Sequence, residues 1–175
     1  MRSAGLSAAL AAILISGCQT VGEPQPPLRA TAQLLPTKGS KTIGEVTFEQ
    51  VGSNVHVVAN LKGLPPGSTH GFHIHEVGDC SSGDGMSTKG HFNPLGKTHG
   101  SHTSAQRHAG DLPSLTAGKD GRAKLDVMLD VITVEPGPTS VVGRGLIVHA
   151  DPDDFKTQPT GNAGARIACG VIKAD

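Results

Sequence analysis

The 175-residue chain has no Trp and no Tyr, and only four Phe. A core must therefore be assembled from Val, Ile, Leu and Ala. Neither sign of charge is in excess, with 15 Lys+Arg against 15 Asp+Glu. That balance removes the basic patch expected of a nucleic-acid binder and the acidic tail of a solvating segment. No apolar run approaches the 18 or so residues that span a bilayer as a helix. No stretch carries a helical period with caps, and no repeat of 20–50 residues is present. Cysteine is scarce at three. What is abundant is Gly (24), Pro (12) and His (nine). Frequent Gly and Pro break the chain into short elements, and histidine in that density invites a metal hypothesis.

The N-terminus opens with Arg2 and an apolar run from Leu6 to Ile15 broken only by Ser7. This length suits a secretory signal and is too short for a membrane span. The tetrad Ile15-Ser16-Gly17-Cys18 resembles the lipobox of bacterial lipoproteins. The resemblance implies cleavage before Cys18 and lipidation of that residue. Gln19 favours passage to the outer membrane, and Val21 to Pro27 reads as a Pro-rich tether. The expected organisation is a signal peptide at 1–17, a lipidated N-terminus and tether at 18–29, and one domain at 30–175. Loss of residues 1–17 removes Arg2, leaving 14 positive against 15 negative charges, a net of −1. With Cys18 committed to lipid, Cys80 and Cys169 remain as a pair, and an exported protein sits where disulfides persist.

Strand periodicity appears at Ile43 to Val51, at Val55 to Leu61, at Leu125 to Val134, at Val141 to Val148 and at Arg166 to Ile172. Asp120-Gly121 suits a tight hairpin. The pattern predicts an all-β sandwich or Greek-key barrel of about eight antiparallel strands, with a long irregular segment from about Gly78 to Leu115. A loop of that length in a compact domain is ordinarily functional, and this one holds several of the histidines.

On a strand, His73 and His75 project from one face about 7 Å apart, so both imidazoles can converge on one ion. His91, His99, His108 and Asp111 offer three imidazoles and a carboxylate, the closed set expected of a structural zinc. Such an ion would also order a loop that lacks a core of its own. His149, ending the apolar run Leu146-Ile147-Val148, would add a third ligand to the first ion. A nitrogen-rich site of that kind suits copper, which can cycle between Cu(II) and Cu(I), whereas zinc has no redox chemistry.

Five segments resemble the copper/zinc superoxide dismutases: His70-Gly71-Phe72-His73-Ile74-His75-Glu76; Gly90-His91-Phe92-Asn93-Pro94; His108-Ala109-Gly110-Asp111-Leu112; Val142-Gly143-Arg144 with Ile147-Val148-His149; and Gly161 through Gly170. They run in family order from about residue 30 to the end. The resemblance implies dismutation of superoxide to dioxygen and hydrogen peroxide by a Cu(II)/Cu(I) cycle. It implies copper on His73, His75, His91 and His149, and zinc on His91, His99, His108 and Asp111. His91 would then bridge both ions and deliver a proton, Asp153 would link a copper histidine to a zinc histidine, and Arg166 would attract the anionic substrate. The family also has a long electrostatic loop; here the stretch from His149 to Thr160 is shorter than in the animal enzymes. It carries Pro159 where they have a steering lysine, leaving Lys156 to compensate. His70 is expected to be structural, and His56 and His102 to lie on the surface. The membrane is contacted only through the lipid anchor, and monomer and homodimer both stay open. The rival readings are a non-catalytic envelope protein that binds copper or zinc, and an interaction module on the same sandwich, whose mark would be missing ligands.

Overall fold

The computed structural model describes Met1 and residues 27–175. The signal segment, Cys18 and most of the tether lie outside the described residues. Among the described residues nine strands follow in order: β1 (Arg29–Pro36), β2 (Ile43–Val51), β3 (Asn54–Lys62), β4 (Thr69–His70), β5 (Phe72–His75), β6 (Leu115–Thr116), β7 (Ala123–Leu129), β8 (Gly145–His149) and β9 (Arg166–Ala174). Among the described residues, the one helical element is a 3-10 turn at Met86–Thr88, and no helix is long and apolar enough to cross a membrane.

Seven strands form an antiparallel sheet in the order β5-β8-β9-β1-β2-β3-β7, with β4 and β6 as a separate pair. The chain leaves β3 at one side of the sheet and places β5 at the far edge. β7 then returns beside β3, and β8 crosses back beside β5. Those long crossings give the Greek-key path expected of the sequence. Alternation supplies the core: Val55, Val57, Ala59 and Leu61 of β3 are buried, as are Val46 and Phe48 of β2. They pack with Phe72, Ile74, Leu146, Val148 and Ile172 into one apolar cluster.

Three differences from the periodicity are informative. β1 buries Ala30, Ala32 and Leu34 in alternation, but alanine carries so little hydrophobic signal that the sequence does not mark the strand. β7 ends at Leu129, short of Val134: Thr133 makes an isolated bridge to Ser140 around the Pro136-Gly137-Pro138 turn. The β-branched residues Val141 and Val142 likewise precede β8 in a turn, where the Arg144 N–H is donated to the Val141 carbonyl. Burial in the turn, rather than pairing, accounts for the apolar character at Ile132, Val134 and Val141. The Asp120-Gly121 turn forms between β6 and β7, with Gly121 at φ +70°, but it closes no hairpin, because β6 pairs with β4 and β7 with β3.

The long segment after β5 is held against the sheet by its backbone. Ile74 donates to the Gly110 carbonyl (2.9 Å), Gly110 to Phe92 (2.9 Å) and Phe92 back to Ile74 (2.8 Å). A Cβ at Gly110 would overlap the Ile74 carbonyl, so only glycine permits this approach. The lacing sets His73 opposite Asp111 and His75 opposite His91.

Candidate metal centre

β5 buries every one of its residues: β8 pairs with one of its edges and the laced loop bridges to the other. His73 and His75 therefore enter a site almost closed to solvent, each at 0% exposure. His149 arrives from β8, where the pairing to β9 is irregular. Val148 faces Ala168, but His149 faces Arg166, leaving Ile167 as an extra residue on β9. This bulge sets Arg166 across from His149, a re-aiming of the kind bulges supply beside functional sites.

The hydrogen bonds of each ring assign its tautomer. His73 donates from Nε2 to Asp153 Oδ2 (2.7 Å), His75 from Nδ1 to the Lys89 carbonyl (2.8 Å), and His149 from Nδ1 to the Gly164 carbonyl (3.2 Å). The nitrogens left over are His73 Nδ1, His75 Nε2 and His149 Nε2, the last two 3.4 Å apart. His91 points Nδ1 at Asp111 Oδ1 (2.9 Å) and leaves Nε2 over. His73 Nδ1 and His91 Nε2 are buried without any partner, an arrangement that costs free energy unless something accepts those lone pairs. One donor atom from each of His73, His75, His91 and His149 lies within 4.8 Å of the others.

A second cluster shares His91. Asp111 Oδ1 lies 2.9 Å from His91 Nδ1, 3.0 Å from His99 Nδ1 and 3.4 Å from His108 Nδ1. Four-coordinate zinc with bonds of about 2.0–2.1 Å sets its ligand atoms about 3.3 Å apart, so this donor set fits that ion. Asp111 Oδ2 accepts the N–H groups of His108 (2.8 Å) and Gly100 (3.1 Å), which fixes the carboxylate. The all-nitrogen set fits copper, whose preference is for imidazole-rich sites.

Asp153 spans the two groups, accepting from His73 on Oδ2 and from His99 Nε2 on Oδ1 (2.9 Å). Gly161 fits beneath that carboxylate at φ +67°, where a Cβ would overlap both Asp153 and His99. The segment is tied to the zinc-type loop by Gln158, which accepts the His99 N–H (2.8 Å) and donates to the His99 carbonyl (2.9 Å).

Electrostatics sort these groups by role. Burial holds His91 down at about 4 and His149 at about 3, with the neighbouring His73 lowering both, and it keeps His75 well below the ordinary value. These rings are neutral at pH 7, as metal ligation requires. Burial also opposes charge on His99, but its bonds to Asp111 and Asp153 outweigh that and raise it to about 9. Burial alone would raise the two carboxyls. The imidazole hydrogen bonds to each overcome it and hold Asp111 and Asp153 below the usual carboxylate range.

Arg166 is clamped by the loop that follows Cys80. It donates from one terminal nitrogen to the Gly85 carbonyl (2.7 Å) and Thr88 Oγ1 (2.8 Å), and from the other to the Lys89 carbonyl (2.6 Å). The Cys80–Cys169 disulfide, with Cα atoms 5.9 Å apart, fastens that loop to β9 as the cysteine count predicts. His70 is buried and donates to the His149 carbonyl (2.8 Å), His56 pairs with Asp126 on the outer sheet face (2.7 Å), and His102 is partly buried. Lys156 is exposed, with no ion pair among the described residues. The carbonyls of Lys89, Gly85 and Gly164 are functional parts that sequence reading misses, since a backbone oxygen leaves no side-chain signature.

A protein-family model described as copper/zinc superoxide dismutase (SODC) matches residues 42–172. Two relatives come from Aquifex aeolicus (strain VF5). Superoxide dismutase (Cu-Zn) 2 is 41% identical over 150 residues, covering 83% of this chain and 87% of the relative. Superoxide dismutase (Cu-Zn) 1 is 39% identical, covering 83% and 88%. A solved structure described as the crystal structure analysis of the clock protein EA4 superposes with a TM-score of 0.77 at 40% identity, covering 88% of this chain and 99% of that one.

Proposed function

The chain belongs to the copper/zinc superoxide dismutase family, and from that membership we propose which of its residues perform the family's reaction and where in the cell they do so. The activity is the dismutation of superoxide: two superoxide anions and two protons give dioxygen and hydrogen peroxide. Copper and zinc are the metals. His73, His75, His91 and His149 would hold copper; His91, His99, His108 and Asp111 would hold zinc. The carrying observation is that one buried imidazole, His91, belongs to both four-donor clusters.

When bound, copper supplies a one-electron couple that superoxide both reduces and reoxidises, while the closed zinc set orders the loop. The chain does the rest. Arg166, held by three acceptors, presents a permanently charged guanidinium toward an anion arriving beside His149. Its clamp is rigid because Thr88 is itself buried and donates to the Gly85 carbonyl (2.8 Å). His91 holds and releases a proton at Nε2, with Nδ1 committed to the Asp111 side. Asp153 acts as a positioning residue, orienting one ring of each cluster through its two oxygens. The carbonyls of Lys89 and Gly164 fix the rings of His75 and His149.

The N-terminal reading places the domain in a bacterial envelope: residues 1–17 act as a signal, Cys18 carries the lipid, and residues 18–29 tether the domain of residues 30–175 to a membrane, the outer one favoured. Its support is the apolar run and the Ile15-Ser16-Gly17-Cys18 tetrad. Labelled palmitate should enter the wild-type protein and not Cys18→Ala, which should be released from the membrane fraction; equal labelling of both removes the anchor from the account.

For the chemistry, the metal-loaded protein is assayed for superoxide removal beside His149→Ala and Arg166→Ala. The first should lose nearly all activity, and the second should lose part of it, most at low salt. A protein that binds one copper and one zinc per chain yet removes no superoxide is a metal-binding protein instead.

A further inference from the structure

Resting on the dismutase reading above, we propose that Lys89 is a guiding cation of this enzyme, drawing superoxide toward the site that Arg166 overhangs. Its place in the fold is unusual. Its carbonyl accepts from both His75 (2.8 Å) and Arg166 (2.6 Å), so the residue is anchored at the rim of the copper-type cluster. Its backbone stands at φ +62° and ψ −142°, territory that belongs to glycine. The carbonyl contacts need only the backbone, so glycine would make them with less strain. The side chain is exposed and forms no ion pair among the described residues, so local packing does not account for it either.

Charge accounts for it. The lysine stem is about 6 Å long, and its own carbonyl stands about 2.6 Å from Arg166, so the ammonium is never more than about 11 Å from the guanidinium. At low ionic strength the screening length far exceeds that span, and at about 0.15 M it is about 8 Å. The rest of the molecule offers little pull, with 15 charges of each sign. Asp84, on the same loop, interacts with the Arg166 charge and dulls it. Lys89 restores a positive rim at that point. It is thereby a closer counterpart to a steering residue than Lys156, which the sequence singles out.

The test compares Lys89→Gln, Lys89→Gly, Lys89→Glu and Lys89→Arg in the copper- and zinc-loaded protein at matched metal content. Superoxide decay is followed from about 0.01 M to about 1 M ionic strength, which shortens screening from about 30 Å to about 3 Å. Coulomb's law for a unit charge about 10 Å from an anion in water gives a loss of about twofold for Gln and Gly at low salt, and about fourfold for Glu. All variants should converge with wild type at high salt, and Lys89→Arg should restore the wild-type salt slope. Azide titration of the copper absorption band supplies a readout apart from turnover, and azide affinity should fall in the same order. Lys89→Gly should also melt at a higher temperature than wild type, which shows that its slower rate is no folding defect. The proposal is overturned if Gln and Gly match wild type at low salt, or lose the same factor at every salt concentration. In either case wild-type activity still stands on its own, so failure here leaves the dismutase reading intact.

Discussion

His91 does at residue scale what no other side chain among the described residues does: its two nitrogens face different clusters, and its Nε2 is buried with no protein partner. His99 is its complement, because both of its nitrogens meet carboxylates, which lift it to about 9. In the metal-depleted protein at pH 7.5, His99 thus carries a proton where a zinc bond would form. Adding zinc should release about one proton per chain in weak buffer, and copper added afterwards about one more as His91 loses its last N–H. A pH-stat or indicator dye reads this directly, and zinc uptake without proton release would refute the assignment of His99. Asp153→Asn removes the charge that orients His73 and His99. Zinc affinity should fall about 10- to 100-fold in competition with a chromophoric chelator; an unchanged affinity would leave Asp153 merely structural. The side-chain members of the site were legible in the sequence, because His, Asp and Arg announce their chemistry at fixed spacings. The carbonyls of Lys89 and Gly164, and the space that Gly161 leaves for Asp153, were not legible, since close backbone approach is a tertiary fact.

Among the elements, the loop between β5 and β6 depends most on context. It has few apolar residues of its own, and backbone hydrogen bonds at Gly110, Phe92 and Leu112 tie it to β5. Gly110→Ala should cost about 1–3 kcal/mol, the usual range for forced overpacking, and should also lower zinc affinity because Asp111 is the next residue. Thermal melts with and without zinc measure both effects, and an undisturbed melt would mean that the lacing is slack. The disulfide closes a separation of 89 residues, a loop for which chain entropy gives about 4–5 kcal/mol. Cys80→Ser should therefore lower the melting temperature, and by freeing the Gly85–Lys89 clamp it should weaken the salt-dependent part of the rate. The strand alternation of β2 and β3 was plain in the sequence. β1 was hidden by its alanines, and the ends of β7 and β8 were blurred because turn residues such as Val141 are buried too.

Over the whole molecule, the same buried groups set how stability responds to pH. His91 and His149 are held at about 4 and about 3, below the 6.5 of an exposed ring. Their contribution is complete above pH 6.5 and is lost as pH falls toward those values. His99 runs the other way: raised to about 9, it contributes fully below pH 6.5 and loses that contribution as pH climbs through 9. The metal-depleted protein should therefore melt highest near pH 6.5 and lower at both pH 4.5 and pH 9, by calorimetry. The loaded protein should keep the acid decline and lose the alkaline one, because an ion then stands where the His99 proton was. An alkaline decline of equal size in both forms would contradict that exchange. The measurement that bears most directly on the account is electron paramagnetic resonance of the protein with Cu(II) placed in both clusters. If His91 joins them, the two spins couple through the ring, and the signal seen with copper and zinc should collapse when copper replaces zinc. Two independent Cu(II) signals of full intensity would show that the ions share no imidazole, and the centre described here would be wrong at its root.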